Sequence, residues 1–393
     1  MNRKDIFLRH IGQTSPYPLG LEITRAEGCF LYDPDGKRYY DLISGFSVNN
    51  IGHSNPKVLE AIHEQVDRYL HTMVYGELIQ APQILLAKKL AESLPDSLDM
   101  VFFVNSGAEA VEGALKLAKR ETGRHEIICF SNAYHGSTHG ALSVMGSETY
   151  KNAFRPLLPS IKILNFNNFS QLDQITEHTA AVIIEPIQAE AGILVPEPGY
   201  LAAIRKQCDK TGSLLIFDEI QTGFGRTGTL FAFEYEQVVP DILLLAKALG
   251  GGMPAGAFVA SREVMLKLTT NPVLGHVSTF GGHPVSCAAG LASLNLILES
   301  DLPKAAAIKG QKIQKLLVHK YIRQIRGRGL LIAAQLDTPE RVNRFFAQSL
   351  KNGLLFDYFL FCQDSIRIAP PLIISDEEIE EMIGLILKTL DES

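Results

Sequence analysis

Lys247 and Asp218 are the residues of this chain best placed to do chemistry. Lys247 follows the apolar run Ile242-Leu243-Leu244-Leu245-Ala246 and precedes Gly250-Gly251-Gly252, and Asp218 follows Leu214-Leu215-Ile216-Phe217 and precedes Glu219. Two buried-type strands would deliver an amine and a carboxylate to their C-terminal ends, the edge where ligands bind in open α/β sheets. That pair suits pyridoxal phosphate: the lysine forms a Schiff base and the carboxylate partners the pyridinium nitrogen. Taken singly, a lysine there is a solvated strand end and Asp-Glu is a turn. The case rests on further groups along the chain.

Asn105-Ser106-Gly107-Ala108-Glu109 follows an apolar run and opens a helical pattern, so free first-turn amides are available to a phosphate. Ser106 and Glu109 also read as a capping box, which needs no ligand. In Tyr134-His135-Gly136 the aromatic could stack on a flat ring or simply pack. His135 and His139 share a helical spacing but lack the glutamate of HExxH and a third ligand, so no metal is expected. Gly223 to Gly228 matches GxGxxG, yet Asp218 to Thr222 stand where a dinucleotide turn would be immediate, and Thr229 to Phe233 does not read as a helix. A nicotinamide-dependent dehydrogenase is therefore the weaker alternative. Neither GxSxG nor a P-loop occurs, which gives a hydrolase triad or an NTPase no support. Ser278 and Thr279, before Gly281-Gly282, read as a phosphate contact or a tight turn. Arg367, between Ile366 and Ile368, would point to the opposite strand face from both, either as a bidentate partner for a substrate carboxylate or as a solvated arginine on an edge.

A chain of 393 residues can hold two domains and a large core, and 46% hydrophobic with 20% charged residues is an ordinary globular composition. A net charge of −6 offers no basic surplus for nucleic acid or an anionic membrane. Cys29, Cys129, Cys208, Cys287 and Cys362 are scattered without a CxxC pair, as for free thiols in a reducing compartment. The first residues lack a signal-peptide core and no apolar run is long enough to span a bilayer, so a cytoplasmic location is expected. Continuous apolar runs alternate with helical patterns such as Glu109 to Arg120 and Tyr200 to Lys210. That order predicts an α/β fold whose mostly parallel sheet is covered on both faces. Phe30 to Tyr40 reads as a hairpin turning at Pro34-Asp35-Gly36, and the pattern changes character from about Gly290. Residues 1–45 are expected to form an arm belonging to the small domain, 46–290 the large domain, and 291–393 the C-terminal small domain.

In chain order, Ser106 to Ala110 (SGAEA), Tyr134-His135-Gly136, Glu185 to Gly192 (EPIQAEAG), Asp218 to Gly228 (DEIQTGFGRTG), Ala246 to Gly252 (AKALGGG), Ser278 to Pro284 (STFGGHP) and Arg367 to Leu372 (RIAPPL) resemble the class III, or ω-amino acid, aminotransferases of pyridoxal-phosphate fold type I. The resemblance covers nearly the whole chain and is strongest to acetylornithine, ornithine and putrescine aminotransferases. It implies a large domain with a seven-stranded type of mostly parallel sheet, a smaller α+β domain, and a homodimer with shared active sites. The implied reaction is ping-pong transfer of an amino group from an ω-amine donor to 2-oxoglutarate; an aminomutase or decarboxylase of the same fold is the alternative. By the same resemblance Ser106, Gly107 and Ala108 hold the phosphate, and Ser278 and Thr279 complete that site, Thr279 from the neighbouring subunit. Tyr134 stacks on the ring, Asp218 bonds its nitrogen, Gln221 contacts its phenolic oxygen and Lys247 forms the Schiff base. Arg367 grips the α-carboxylate of glutamate and Glu190 neutralises it when an ω-amine enters; Glu185 and Ser137 are expected on the substrate side. Ser137 stands where the acetylornithine and ornithine enzymes carry Arg and putrescine-type enzymes Lys, while His283 replaces Asn and Ala189 replaces Gly. The uncharged Ser137 leaves the donor open.

Overall fold

Pro34-Asp35-Gly36 does make a turn: the Gly36 amide donates to the Asp33 carbonyl at 3.1 Å. Around it, β1 (Arg25–Glu27), β2 (Phe30–Tyr32) and β3 (Arg38–Asp41) run antiparallel. The protein is described by a computed structural model covering residues 2–393.

The apolar runs of the middle of the chain become β4 (Met100–Val104), β5 (Glu126–Phe130), β6 (Ile161–Leu164), β7 (Thr179–Ile184), β8 (Leu214–Asp218), β9 (Ile242–Ala246) and β10 (Gly256–Ala260). They form one seven-stranded sheet in the order β4-β10-β9-β8-β7-β5-β6. β10 is antiparallel to both neighbours and the other pairs are parallel. Every residue of β7, β9 and β10 is buried, the reason these runs are apolar without alternation. Leu243, Leu245 and Val259 enter the core on one face; Ile242, Leu244 and Phe258 enter that on the other. Helix Gly107–Thr122 covers the second face with Ala110, Ala114 and Leu117. Gly113 is required there, since a Cβ would lie 2.3 Å from the Phe258 ring. Helix Tyr200–Thr211 covers the first face with Leu201, Ile204 and Cys208. Burying each large aliphatic side chain contributes roughly 1.5–3 kcal/mol.

The C-terminal part contains β11 (Ile322–Arg328), β12 (Leu331–Leu336), β13 (Leu354–Leu355) and β14 (Ser365–Ile368). β11, β12 and β14 form a three-stranded antiparallel sheet, whereas β13 pairs in parallel with β3 and joins the N-terminal hairpin. Helix Asp376–Asp391 closes the chain behind a reciprocal Ser375–Glu378 capping box. Helix Pro284–Glu299 packs on helices Pro56–Arg68 and Ala81–Ala91 and runs unbroken through residue 290, where the domain boundary was expected. Among the described residues no single helix is long and apolar enough to cross a membrane. Cys29, Cys129, Cys208 and Cys287 are buried free thiols, and Cys362 is a half-buried one.

Candidate active site

Asp218 is the last residue of β8 and Lys247 the first after β9, so adjacent parallel strands place them on one sheet edge. Asp218 is buried; its Oδ1 accepts from the Ile220 amide at 3.1 Å and its Oδ2 lies 2.7 Å from His135 Nδ1. Lys247 opens a short 3-10 turn with φ of 52°, a left-handed conformation that costs a residue with a Cβ about 1–2 kcal/mol. Such strain persists only where the surroundings over-determine it. Its Nζ donates to Gln221 Oε1 at 2.8 Å. Burial pushes the ammonium down from 10.5 to about 8, the Arg367 charge adding to the fall and Glu190 opposing it.

These groups open on a cavity of about 570 Å³. Ser106, Gly107 and Ala108 form one end, where helix Gly107–Thr122 begins. The Ser106 hydroxyl accepts from the Glu109 amide at 3.2 Å, but the capping box does not close. Glu109 instead accepts from the Asn105 backbone and side-chain nitrogens, each at 2.9 Å, so it fixes the residue before the cap. Tyr134, Ile220, Gln221 and Glu185 line the walls. Glu185 accepts from the amides of Tyr134 and Ala189, both at 3.0 Å, and burial pushes its carboxyl up to about 7, with His135 opposing the rise and the Asp218 charge adding to it. Ser137 also lines the cavity but is exposed, its hydroxyl 3.3 Å from that of Tyr134.

Glu190 faces the same cavity, and Arg367 lies directly behind it. Arg367 Nη2 donates to both Glu190 oxygens at 2.7 Å. The guanidinium carbon sits 4.5 Å from the Phe359 ring centroid and 5.3 Å from that of Phe46. Arg367 is fully buried, so it is no solvated edge arginine. Ser278 and Thr279 do not line this chain's own cavity, although Ser278 touches its wall at Asn105. The Ser278 hydroxyl accepts from Asn105 Nδ2 at 3.0 Å and from the Gly281 amide at 3.1 Å, while Thr279 is exposed.

A family model, "Aminotransferase class-III", matches residues 12–390. The chain belongs to the class III aminotransferases. It is 40% identical over 380 residues to the acetylornithine aminotransferase of Methanopyrus kandleri, a match covering 95% of each chain. Among solved structures it is similar to an ornithine aminotransferase from Toxoplasma gondii, with partial occupancy of PLP at its active site (TM-score 0.91, 32% identity, 98% of this chain and 92% of that one). A thermostable (S)-enantioselective ω-transaminase from Thermomicrobium roseum is likewise similar (TM-score 0.91, 31% identity, 98% and 97% covered). As a class III aminotransferase the protein is a pyridoxal-phosphate-dependent transaminase.

The cavity of this class III aminotransferase fits that cofactor. First-turn amides of helix Gly107–Thr122 have no intrahelical acceptor and point toward anions, as a phosphate requires. Gln221 Nε2 is buried without a partner, a donor suited to a phenolic oxygen, and the Asp218 carboxylate suits a protonated ring nitrogen. Three neighbours escaped the sequence reading. His135, set aside there as half of a metal pair, orients Asp218. Ile220 lines the cavity and lies against Gly107, where a Cβ would meet it at 2.7 Å. Arg226, inside the GxGxxG match, is fully buried without a carboxylate partner, and burial pushes it down to about 9. It donates to the Leu330 carbonyl at 3.0 Å, the Pro370 carbonyl at 2.5 Å and Asn50 Oδ1 at 2.6 Å. The segment thus ties β8 to the strand of Arg367; only a short 3-10 turn, Ala232–Tyr235, follows it, which leaves a dinucleotide fold no helix to use. No local sequence signal distinguishes these three, because each acts through residues distant in the chain.

Proposed function

We propose that this enzyme moves an amino group from an ω-amine donor (acetylornithine, ornithine or a diamine such as putrescine) to 2-oxoglutarate in two alternating half-reactions at one site. The observation that carries this reading is Glu190, which stands between the cavity and Arg367 with both oxygens bonded to it. The reacting end of an ω-amine carries no carboxylate, so a guanidinium neutralised by Glu190 suits it. Glutamate and 2-oxoglutarate do carry one, and a Glu190 that swings aside frees the Arg367 fork to take it. Arg367 Nε and Nη1, buried and unpartnered, are the donors available for that contact.

When bound, pyridoxal phosphate supplies the electron sink that lets a substrate carbon give up a proton. Lys247, with its pKa near 8, holds the group in place and then takes that proton and returns it. Asp218, oriented by His135, would keep the ring nitrogen protonated. The Tyr134 ring would pack on the cofactor, Gln221 Nε2 would donate to its phenolic oxygen, and Ser106 with the Gly107 and Ala108 amides would hold its phosphate. Glu185 fixes the Tyr134 and Ala189 backbones on the substrate side.

The same reading makes the active unit a homodimer in which Thr279 completes the partner's phosphate site, while the Ser278 hydroxyl braces Asn105 and Gly281 of its own chain. The loop that carries them exposes Val273, Leu274, Val277 and Phe280, apolar surface that a second copy would cover. Mixing Lys247→Ala with a Thr279→Asp variant is expected to regenerate one intact site per heterodimer. Absence of recovered activity after verified subunit exchange would rule out sharing. Its free thiols support work in the cytoplasm.

Donor choice turns on Ser137, which brings no charge to a distal carboxylate. Loss of one charge-assisted contact typically removes about 1.5–3 kcal/mol, or roughly ten- to a hundredfold in discrimination. The test adds acetylornithine, ornithine, lysine, putrescine, 4-aminobutyrate and glutamate singly to the yellow enzyme and follows loss of the visible band. Broad use of ω-amines with competent glutamate is expected, and Ser137→Arg should shift preference toward acetylornithine and ornithine. A wild-type enzyme that strongly prefers acetylornithine over putrescine would contradict this reading of Ser137.

A further inference from the structure

Between β3 and the cavity the backbone makes one turn of left-handed helix. Ser44, Gly45, Phe46 and Ser47 have φ of 48°, 56°, 62° and 63° in succession. The turn closes through the Ser47 amide to the Ile43 carbonyl and the Val48 amide to the Ser44 carbonyl, both 2.9 Å. Only Gly45 takes this conformation freely; the other residues each bring a Cβ into conflict with a carbonyl oxygen. A strained turn of this kind persists because something outside it holds it.

The holder is Asp41, the last residue of β3 and 2% exposed. Its Oδ1 accepts from the Ile43 amide at 3.0 Å and its Oδ2 from the Gly45 amide at 3.1 Å. His53 Nε2, 2.8 Å from the same Oδ2, completes its partners. The turn in turn grips the strand end beyond Arg367. The Ser44 hydroxyl donates to the Ala369 carbonyl at 2.6 Å, and the Ala369 amide to the Leu42 carbonyl at 2.8 Å. It also sets Phe46 beside the Arg367 guanidinium and Val48 in the cavity wall. A right-handed turn over the same residues would carry Ser44 and Phe46 away from these contacts.

We infer that Asp41 is a positioning residue for the substrate carboxylate site: it holds the left-handed turn Ser44–Ser47, and the turn holds Arg367 in register. The inference rests on the reading of Arg367 as the carboxylate grip. Asp41 does not line the cavity, and its two backbone contacts, to Ile43 and Gly45, are both to the turn. An asparagine there has one acceptor oxygen, and in either orientation its NH₂ would face the Ile43 or the Gly45 N–H, so the turn loses one of its two backbone holds.

The test is steady-state kinetics of the holoenzyme with 2-oxoglutarate, together with spectral titration by glutarate, a dicarboxylate that cannot react. Asp41→Asn is expected to raise both the KM for 2-oxoglutarate and the Kd for glutarate about tenfold, with kcat held within roughly threefold. Ser44→Ala, which keeps the Asp41 contacts but releases Ala369, should move both in the same direction by about threefold, and it carries the test if Asp41→Asn does not fold. A fall in kcat with KM and Kd unchanged would show a merely structural role and overturn the inference. Unchanged constants in both variants, while Arg367→Met raises them, would overturn the inference alone. Unchanged constants in Arg367→Met would overturn the reading of Arg367 beneath it.

Discussion

Lys247→Ala is expected to fold and to bind pyridoxal phosphate while losing both the visible band of the lysine-bound cofactor and turnover. Proton transfer by a positioned group is worth roughly 10²–10⁴-fold, and the amine that holds the cofactor is lost as well, so a fall of at least about 10³-fold is expected. Stability of the cofactor-free protein should barely change. Holding an ammonium whose pKa falls from 10.5 to about 8 costs roughly 3 kcal/mol at neutral pH. Burying the methylenes that alanine would remove contributes about 2.5 kcal/mol, which offsets most of it. The ammonium cost is full below about pH 8 and disappears above 10.5, where the unfolded chain's lysine is also neutral. The wild type should therefore gain on the variant in thermal unfolding as pH rises through that window. Near-normal turnover of Lys247→Ala would remove this residue from the reaction.

Asp218→Asn should cost far more in rate than in stability. The asparagine oxygen can keep the Ile220 amide, and its NH₂ can donate to His135 Nδ1 if the imidazole proton moves to Nε2, a buried atom without a partner. What disappears is the negative charge that, on the proposed reading, would face the cofactor nitrogen. Electrostatic contributions of this kind in a dry site are worth several kcal/mol, or about a hundredfold and more in turnover. Unfolding and turnover measured on the same preparation separate the two effects. A loss below about tenfold would contradict the role proposed for Asp218.

The strands were legible where burial on both faces makes the sequence continuously apolar, as in Ile242 to Ala246. β6 escaped because it lies at the sheet margin, with Lys162 and a partly exposed Ile163 breaking its apolar run. β11 escaped because three arginines, Arg323, Arg326 and Arg328, disguise a strand buried only on part of its surface. The capping box was legible only by half, since nothing local says that Glu109 will prefer Asn105 to the Ser106 amide. Residues at strand ends announce themselves through the runs before them, as Asp218 and Lys247 do. His53 and Arg226 have no such herald, and Asp41, although it ends β3, follows only the short pair Tyr39-Tyr40. Their partners lie in other segments, and Ser44-Gly45-Phe46-Ser47 reads as an ordinary loop until its φ angles are known.

The pairing of β3 with β13 sets an order on biosynthesis. β4 finds its neighbour β10 once residue 260 has been made, and by then the helix at Gly107, Asp218 and Lys247 have all been made. The Tyr40 and Asp41 strand must wait for Leu354 and Leu355, and the turn after it must wait for Ala369. A nascent chain can thus bring its own Gly107, Asp218 and Lys247 together before Arg367 has been added. Until the last tenth or so of the chain is released, the N-terminal hairpin shows solvent the apolar face that Tyr40 and Phe30 later bury. Pairings so distant in sequence form slowly. That hairpin is where a chaperone would have the longest time to bind.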